Sequence, residues 1–342
     1  MRAKPSRLGP VLKCAVFLLI LALTVHLSAG VLRNKNYASA SAAFYEEPRN
    51  SLDVLLMGSS HMLNAVAPMQ LWEEYGVASN NLAQNGQVLP VTYYHIQEAL
   101  RFQRPKLIVL DIYKAIQDSL IDSTASLHYT LDNMTFGLPK LRAVFDLLPQ
   151  GERMEFLLDI IPYHSRWKEL TQTDFAPVDT TEKGAQALFT TTPLPDFAVM
   201  PASVTAEPVE VALRYLEKIV ALCREEQVEL LFVAVPFATP EDDGMSRQEV
   251  VNGMAAYAEA WGVPFVNMMH HTEEMGFDYA VDMADVFHAN WRGMEKITAW
   301  LGAYLTEHYS LPDRRDEAAY QSWNTALAYY HAYLDAAIAA AS

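Results

Sequence analysis

Two short segments, far apart in the chain, hold residues that can perform nucleophilic chemistry together. One is the turn-like Gly58-Ser59-Ser60, and the other is Asp285-Val-Phe-His288. A serine is a weak nucleophile until a histidine accepts its proton and a carboxylate holds that histidine in the right tautomer. Because the acid precedes the histidine by three residues, one loop can present both groups. The pattern therefore predicts acyl chemistry at Ser60, with His288 as general base and Asp285 as its orienting acid.

Neighbouring residues leave alternatives open for each role. Ser59 is a second candidate nucleophile. Asp282 is a competing acid, which can instead cap a helix. His61 is a weaker candidate for the base, since adjacent side chains usually point apart, and we interpret it as a structural or cleft-lining residue.

The elements that must position these groups alternate along the chain. Apolar runs ending in Gly, Pro or polar residues predict buried strands at 53–57, 78–82, 106–113, 229–236 and 264–268. Apolar residues at helical spacing predict helices at 64–75, 91–103, 209–226, 246–261 and 290–308. This alternation predicts an α/β fold with a parallel sheet and helices on both faces. Ser60 then follows the first strand, at the carboxyl edge where such sheets bind ligands.

These segments resemble the SGNH/GDSL hydrolase superfamily over most of residues 53–308. The resemblance implies a three-layer, flavodoxin-like fold. It also implies that Ser60 is the nucleophile and that Asp285 and His288 complete the triad. The family's second conserved glycine corresponds to Gly86, whose backbone N–H would join that of Ser60 in an oxyanion hole. An ordinary turn glycine after Asn85 is the alternative.

A narrower resemblance comes from Gly-Ser-Ser-His after an apolar N-terminal segment and from Asp-x-x-His-x-Asn-x-x-Gly-x-x-Lys at 285–296. Both are similar to exported bacterial proteins of D-alanine transfer to lipoteichoic acid and of alginate O-acetylation, which often work beside a membrane-bound O-acyltransferase. One departure concerns the oxyanion hole. The family's third block usually supplies an Asn, but residues 110–114 read Leu-Asp-Ile-Tyr-Lys. Either Asn85 or Tyr113 substitutes for it, or the hydrolase activity is weak, which favours acyl transfer over plain ester hydrolysis.

The N-terminal region predicts a membrane anchor. Residues 14–32 are apolar and uncharged, long enough to cross a hydrocarbon core of about 30 Å. Four basic residues precede this run and two follow it, which favours a cytoplasmic N-terminus and an extracellular body. A cleaved signal peptide is the alternative. We therefore assign residues 1–35 to a cytoplasmic tail and transmembrane anchor, and residues 36–50 to a small, polar stalk.

The remaining chain is assigned to one SGNH-like α/β domain, residues 51–311, and a helical tail, residues 312–342. A Thr-, Asp- and Pro-rich insertion at about 114–208 is expected to shape a cleft or lid. Within it, Tyr163, His164, Arg166 and Trp167 either line a sugar- or carboxylate-binding cleft or pack the insertion on the body. The tail is expected to pack back on the domain, with a partner- or membrane-binding helix as the alternative.

Composition excludes several classes of function. The net charge is −16, so the chain would repel phosphate backbones, and nucleic acid is not an expected partner. Two cysteines provide neither a disulfide framework nor a thiolate metal site. Adjacent His270 and His271, together with nearby acidic residues, leave a metal site as a minor alternative. No cofactor is expected.

The sequence thus predicts an exported, membrane-anchored serine acyl-transfer enzyme. Its expected acceptor is a cell-surface polysaccharide or wall polymer, and its expected partner is a membrane-bound O-acyltransferase. The alternatives are a carbohydrate or lipid esterase with the same triad, and a non-catalytic protein that binds a polymer or a partner.

Overall fold

A single parallel sheet of five strands organises the body of the protein. The computed structural model describes residues 8–35, 37–195, 197–238 and 247–341. The strand order is β2-β1-β3-β4-β5 and every pairing is parallel. The strands are β1 Val54–Met57, β2 Ser79–Asn81, β3 Leu107–Asp111, β4 Glu229–Ala234 and β5 Phe265–Asn267. This is the flavodoxin-like order, so the predicted α/β class with a parallel sheet is confirmed.

Fourteen α-helices are present in the described part of the chain. They are α1 Leu8–Leu32, α2 Ser39–Glu46, α3 Ser60–Leu63, α4 Pro68–Tyr75, α5 Leu89–Ala99, α6 Thr124–Leu131, α7 Leu138–Leu147, α8 Arg153–Leu157, α9 Ile160–Tyr163, α10 Glu210–Glu225, α11 Arg247–Ala260, α12 Thr272–Met275, α13 Trp291–His308 and α14 Gln321–Ala341. Residue 246, where the sequence predicts a helix to begin, lies outside the described residues.

Strand residues alternate between two hydrophobic cores because successive side chains point to opposite faces of a sheet. Leu55, Ile108 and Phe232 belong to one core, which is covered by α5 and α10. Leu56, Val109 and Leu231 belong to the other, which is covered by α13. Each central strand is therefore buried on both sides, as uninterrupted apolar runs predict.

Helix α1 is the one helix of the described chain that is long and apolar enough to cross a membrane. The span Gly9–Leu32 contains 24 residues, so it begins earlier than the predicted run at residue 14, and an 18-residue window within it has a mean hydropathy of 2.4. Most of its side chains are exposed, whereas Ala29 and Leu32 near its end are buried against the body.

The prediction of a stalk at 36–50 is wrong for the described residues of that range. Residues 39–46 form α2, and its side chains Ala40, Ala43 and Phe44 are fully buried. Small residues offer little apolar area, so the sequence alone predicts that they are exposed to solvent. In the structure α2 contacts β2, and Ala40 and Ala43 are buried.

The insertion at 114–208 contains four helices, α6 to α9, that the sequence analysis did not predict. Ala143, Val144 and Leu147 of α7 and Phe156 of α8 join the core on the α5 face. The insertion is thus packed on the domain through these helices. Residue 196, in its loop-like segment 191–197, lies outside the described residues.

The C-terminal tail packs on the body through α14. Trp323 and Tyr330 are buried, and the Trp323 ring lies 5.1 Å from that of Trp72. Before the helix, Arg314 makes a bidentate ion pair with Asp53 at 2.9 and 3.0 Å, which joins the tail to the start of β1.

Candidate active site

Ser60 follows β1 through a glycine that no other residue can easily replace. Gly58 has φ +149°, and a Cβ added there would lie 3.0 Å from the Cβ of Asp111 and 3.2 Å from that of Met62. This close approach of β1 to the end of β3 directs the chain into a sharp turn. Ser60 is then the first residue of α3, half-buried at the carboxyl edge of the sheet.

His288 and Asp285 lie on a loop closed by its own backbone. Met283 and Ala289 form an isolated antiparallel bridge, and the N–H of Ala284 donates to the carbonyl of His288 at 2.8 Å. Asn290 holds the base of the loop: its Oδ1 caps α13, while its Nδ2 donates to the carbonyl of Val281 at 2.8 Å. The loop is also tied to the chain after β4, since the N–H of Ala238 donates to the carbonyl of Val286.

The structure brings the three predicted side chains into one hydrogen-bonded series. Ser60 Oγ lies 2.8 Å from His288 Nε2, and His288 Nδ1 lies 2.9 and 3.0 Å from the two carboxylate oxygens of Asp285. The backbone N–H groups of Phe287 and His288 donate to Asp285 Oδ1 at 2.7 and 2.9 Å. These four bonds orient the carboxylate toward the ring.

The protonation state of Asp285 suits an orienting acid. Partial burial acts to raise its pKa, but hydrogen bonds from the His288 ring and from two backbone N–H groups outweigh it and lower the pKa below the usual value. The carboxylate is therefore ionised at neutral pH. It can hold the Nδ1–H tautomer of His288 and stabilise an imidazolium, which leaves Nε2 free to accept the Ser60 proton.

The alternatives for nucleophile and acid are placed elsewhere. The Ser59 side chain is fully buried, and its Oγ lies 3.4 Å from His61 Nδ1. Asp282 is also fully buried, and it accepts hydrogen bonds from Lys296 Nζ at 2.6 Å and the N–H of Asp278 at 2.7 Å. Neither is directed at His288, so Ser60 and Asp285 are the pair that the geometry selects.

Gly86 lies in a loop that runs next to the Ser60 turn. The N–H of Gln84 donates to the carbonyl of Gly58 at 3.3 Å, which brings the loop after β2 to the start of the turn. Gly86 has φ +67°, and a Cβ there would lie 2.7 Å from the Cβ of Ser126. Ser60, as the first residue of a helix, has no intrahelical partner for its N–H. The joint role of these two N–H groups in an oxyanion hole stays a prediction.

The expected side-chain donors of the oxyanion hole differ in their surroundings. Asn85 is half-buried in the same loop as Gly86. Tyr113 is buried, its ring stacks on that of His61 at 3.4 Å between centroids, and its hydroxyl accepts a hydrogen bond from Arg247. The role of Asn85 or Tyr113 as an oxyanion donor stays a prediction. At the family's usual Asn position stands the buried Asp111, whose pKa is raised to about 7 by burial.

His61 is beside the triad but does not line a cleft. Its ring is 4% exposed and its centroid lies 5.3 Å from that of His288. Burial lowers its pKa well below the ordinary value, and the nearby charges of His288, Lys114 and Arg247 lower it further. His61 is therefore neutral, and its ring packs between those of Tyr113 and His288.

Sequence reasoning missed two cations near the site. The Arg247 guanidinium lies 5.0 Å from the centre of the Phe287 ring. Lys114 Nζ lies 3.1 Å from Asp122 Oδ1. Asp122 is close to Gly86, because a Cβ added at Gly86 would lie 2.9 Å from Asp122 Oδ2. Lys114 follows β3 and was visible as part of the unusual third block. Arg247 has no local signal, because it starts a helix far from the motifs.

The predicted cleft residues of the insertion lie next to α1. Tyr163 donates to Asp132 at 2.5 Å, and His164 Nδ1 lies 2.7 Å from the carbonyl of Ile161. Arg166 donates to the carbonyl of Leu32 at 2.6 Å, and Trp167 is 65% exposed. None of these contacts involves the triad, and Arg166 joins the insertion to the end of α1. A substrate cleft at these residues stays a prediction.

Comparison with known proteins gives similarity of structure only. No family model and no curated protein matches the chain. A Bacteroides fragilis protein described as a "putative acylhydrolase" is similar at 11% identity, over 80% of this chain and 98% of its own, with a TM-score of 0.39. A Streptococcus pneumoniae protein described as a "putative platelet activating factor" is similar at 13% identity, over 84% of this chain and 99% of its own, with a TM-score of 0.42. The fold class of this chain therefore stands on its own strand order, and its chemistry on the residues above.

Proposed function

We propose that this protein is a serine acyl-transfer enzyme that is anchored in a membrane and acts outside the cytoplasm. The observation that carries the proposal is the 2.8 Å contact between Ser60 Oγ and His288 Nε2, with Asp285 bound to the opposite ring nitrogen. An alcohol, an imidazole and a carboxylate in this order form the arrangement that activates serine for attack on esters.

In the first half of the reaction, Ser60 Oγ attacks the carbonyl carbon of an acyl donor while its proton passes to His288 Nε2. The negative charge on the carbonyl oxygen is received by the backbone N–H groups of Ser60 and Gly86. Collapse of the tetrahedral intermediate expels the donor's alkoxide, which takes the proton from His288. An acyl ester on Ser60 and a free donor alcohol result.

In the second half, an acceptor hydroxyl loses its proton to His288 and attacks the acyl ester, which restores Ser60. The acceptor is proposed to be a sugar hydroxyl of a surface polysaccharide or wall polymer. The sequence resemblance to O-acetylation and D-alanine-transfer proteins supports this acceptor and a membrane-bound O-acyltransferase as the supplier of acyl groups. Anchoring supports it too, because tethering raises the effective concentration of the site near a surface polymer.

Contacts at and just after the end of α1 join this part of the chain to the insertion. The carbonyl of Leu32 accepts from Arg166, Arg33 pairs with Asp159, and Lys35 Nζ donates to the carbonyls of Asp174 and Ala176. Cleavage in the small-residue segment 27–30 would leave residues 32–35 on the body, so these contacts do not depend on the anchor, and an uncleaved anchor remains part of the proposal. A cytoplasmic N-terminus with an extracellular body is the proposed orientation.

Covalent labelling tests the nucleophile. The purified full chain in detergent is treated with a fluorescent fluorophosphonate, and labelling is followed on a gel. We expect the native protein to be labelled and Ser60→Ala not to be, while Ser59→Ala, a matched change one residue away, keeps the label. Labelling of Ser60→Ala at the native rate would reject Ser60 as the nucleophile, and an unlabelled native protein would favour a non-catalytic binding protein.

Single-turnover acyl transfer separates the transferase from the esterase. The acyl-enzyme formed with a small chromogenic ester is chased with a sugar polymer or with buffer. Capture of the acyl group by the polymer supports transfer. Release as free acid only, with or without polymer, would instead identify a carbohydrate or lipid esterase.

A further inference from the structure

Exposed large apolar side chains outside α1 are concentrated in the insertion. Eight of the eleven that the described residues contain lie between residues 136 and 175, and the other three are scattered. We refer to these eight as the insertion surface: Phe136, Leu138, Phe145, Met154, Leu158, Ile161, Trp167 and Phe175. Isolated exposed apolar residues are normal in proteins, but a concentration of this kind marks an interaction site.

The insertion surface surrounds the end of α1. Helix α9 and the 3-10 turns 164–168 and 172–175 pack directly against α1. Helix α8 contacts α9, and α7 contacts α8, where the Arg153 guanidinium lies 4.9 Å from the ring centre of Phe145. The exposed side chains Leu138 and Phe145 are seven residues apart on α7, so they share one face of that helix.

The position along α1 at which the insertion contacts this helix indicates whether lipid can cover the insertion surface. One groove is lined both by Ala22 and Val25 of α1 and by Phe136 and Leu158 of the insertion. At 1.5 Å per residue, Ala22 and Val25 lie about 12 to 16 Å before Arg33, the first charge after the apolar run. A bilayer that covers α1 up to Arg33 therefore reaches the insertion residues in the same groove.

Charge on the insertion does not oppose contact with lipid. Residues 133–176 carry five Lys and Arg against six Asp and Glu, whereas the whole chain carries −16. Acidic repulsion of anionic headgroups is thus largely absent on this side. Lys168 and Arg153 each lie over an exposed or partly exposed aromatic ring, where their stems cover apolar area and their charges can reach headgroups.

We infer that the insertion surface is embedded in the outer boundary of the lipid bilayer, next to the point where α1 leaves it. This inference rests on the proposed anchoring by α1. Helices that lie in the plane of a membrane typically bury their apolar face about 5–10 Å into the headgroup and acyl boundary, a shallower depth than the roughly 12 to 16 Å between Arg33 and the α1 residues of the shared groove. The domain would then be held at a fixed height and tilt above the membrane and would not swing on a tether.

The test measures bilayer contact at single positions of the full chain. All variants carry Cys14→Ser, and the buried Cys223 is retained. Phe145→Cys and Phe175→Cys report on the insertion surface, Leu18→Cys reports on α1, and Tyr329→Cys is an equally exposed control on the tail. Each is labelled with an environment-sensitive fluorophore and reconstituted in phosphatidylcholine–phosphatidylglycerol vesicles with or without doxyl-labelled lipid.

We expect doxyl lipid to quench the labels at 145, 175 and 18 and to leave the label at 329 unchanged. Quenching at 18 without quenching at 145 and 175 would overturn the inference while leaving the anchor intact, and would mean that another protein or water covers the surface. Loss of quenching at 18 as well would reject the anchoring on which the proposed function depends. The two failures are therefore distinguishable.

Discussion

Two carboxylates near Ser60 have opposite pKa shifts, and each shift follows from the surroundings of the group. Asp285 is 49% exposed at its side chain and accepts bonds from the His288 ring and two backbone N–H groups, so its pKa is lowered despite partial burial. Asp111 is fully buried, and burial raises its pKa to about 7. At neutral pH the first is ready to stabilise an imidazolium, and the second spends much of its time protonated.

Replacing Asp285 by Asn should abolish most activity without unfolding the protein. An amide cannot stabilise the imidazolium and favours the wrong tautomer, so kcat for ester turnover should fall by roughly 10³- to 10⁴-fold. Because the side chain is half-exposed, the unfolding temperature should change little. Turnover within tenfold of the native rate would contradict the role of Asp285.

Replacing Asp111 by Asn should stabilise the fold in a pH-dependent way. Below about pH 4 the acid is protonated in both the folded and unfolded states, so the substitution changes little. As pH rises toward 7, the unfolded chain releases this proton and the folded chain retains it, so native stability falls. With a pKa raised to about 7, the Asn variant should gain on the order of 4 kcal/mol at pH 8.

Thermal unfolding of the detergent-solubilised chain between pH 4 and 8 measures this difference. The exposed Asp118→Asn is the control and should shift the unfolding temperature by a small, pH-independent amount. A constant difference between native protein and Asp111→Asn over this range would show that Asp111 is ionised throughout.

At the scale of elements, the site depends on one loop of seven residues between Met283 and Ala289. Its closure by a backbone bridge explains how Asp285 and His288 can be close in sequence and still meet a serine from the other end of the chain. The sequence shows Asn290 in the motif that follows His288, but it does not predict that this side chain has two roles. It caps α13 with its oxygen and holds the loop with its nitrogen, which requires that the loop and the helix start already be in place.

Replacing Asn290 by Ala should lower both stability and activity. Loss of the cap should reduce the free energy of unfolding by about 1–2 kcal/mol, and loss of the bonds from Nδ2 should loosen the loop that holds His288. Asn267→Ala, which removes the cap of the 3-10 turn 268–271, is the matched control. It should lose stability alone. Equal activity of the two variants would show that Asn290 has no part in positioning His288.

At the scale of the whole molecule, the tail contributes to the fold. Trp323 is buried against Trp72, its Nε1 donates to Glu47 at 3.2 Å, and Lys183 Nζ lies 4.8 Å from its ring centre. These partners come from three separate parts of the chain. The helix therefore joins α4, the region after α2 and the insertion, and a role limited to docking a partner does not account for it.

Replacing Trp323 by Ala should reduce the free energy of unfolding by about 3–5 kcal/mol, because it leaves a large cavity between tail and body. Tyr329→Ala, at a 68% exposed position of the same helix, should change it by less than about 0.5 kcal/mol. Chemical denaturation followed by far-UV circular dichroism measures both. An unchanged stability of Trp323→Ala would favour a tail that serves only to bind a partner.

The amino-acid sequence determined the elements of the sheet and the identity of the chemical groups. Apolar runs and turn residues depend on local preferences, so the five strands and the chain positions of Ser60, Asp285 and His288 could be predicted. Tertiary structure decided which polar residues meet. The small residues of 39–46 are buried, Tyr163 to Trp167 lie next to the end of α1, and Arg247 contacts Tyr113. None of these placements follows from local sequence, because burial and long-range contact depend on how the elements pack.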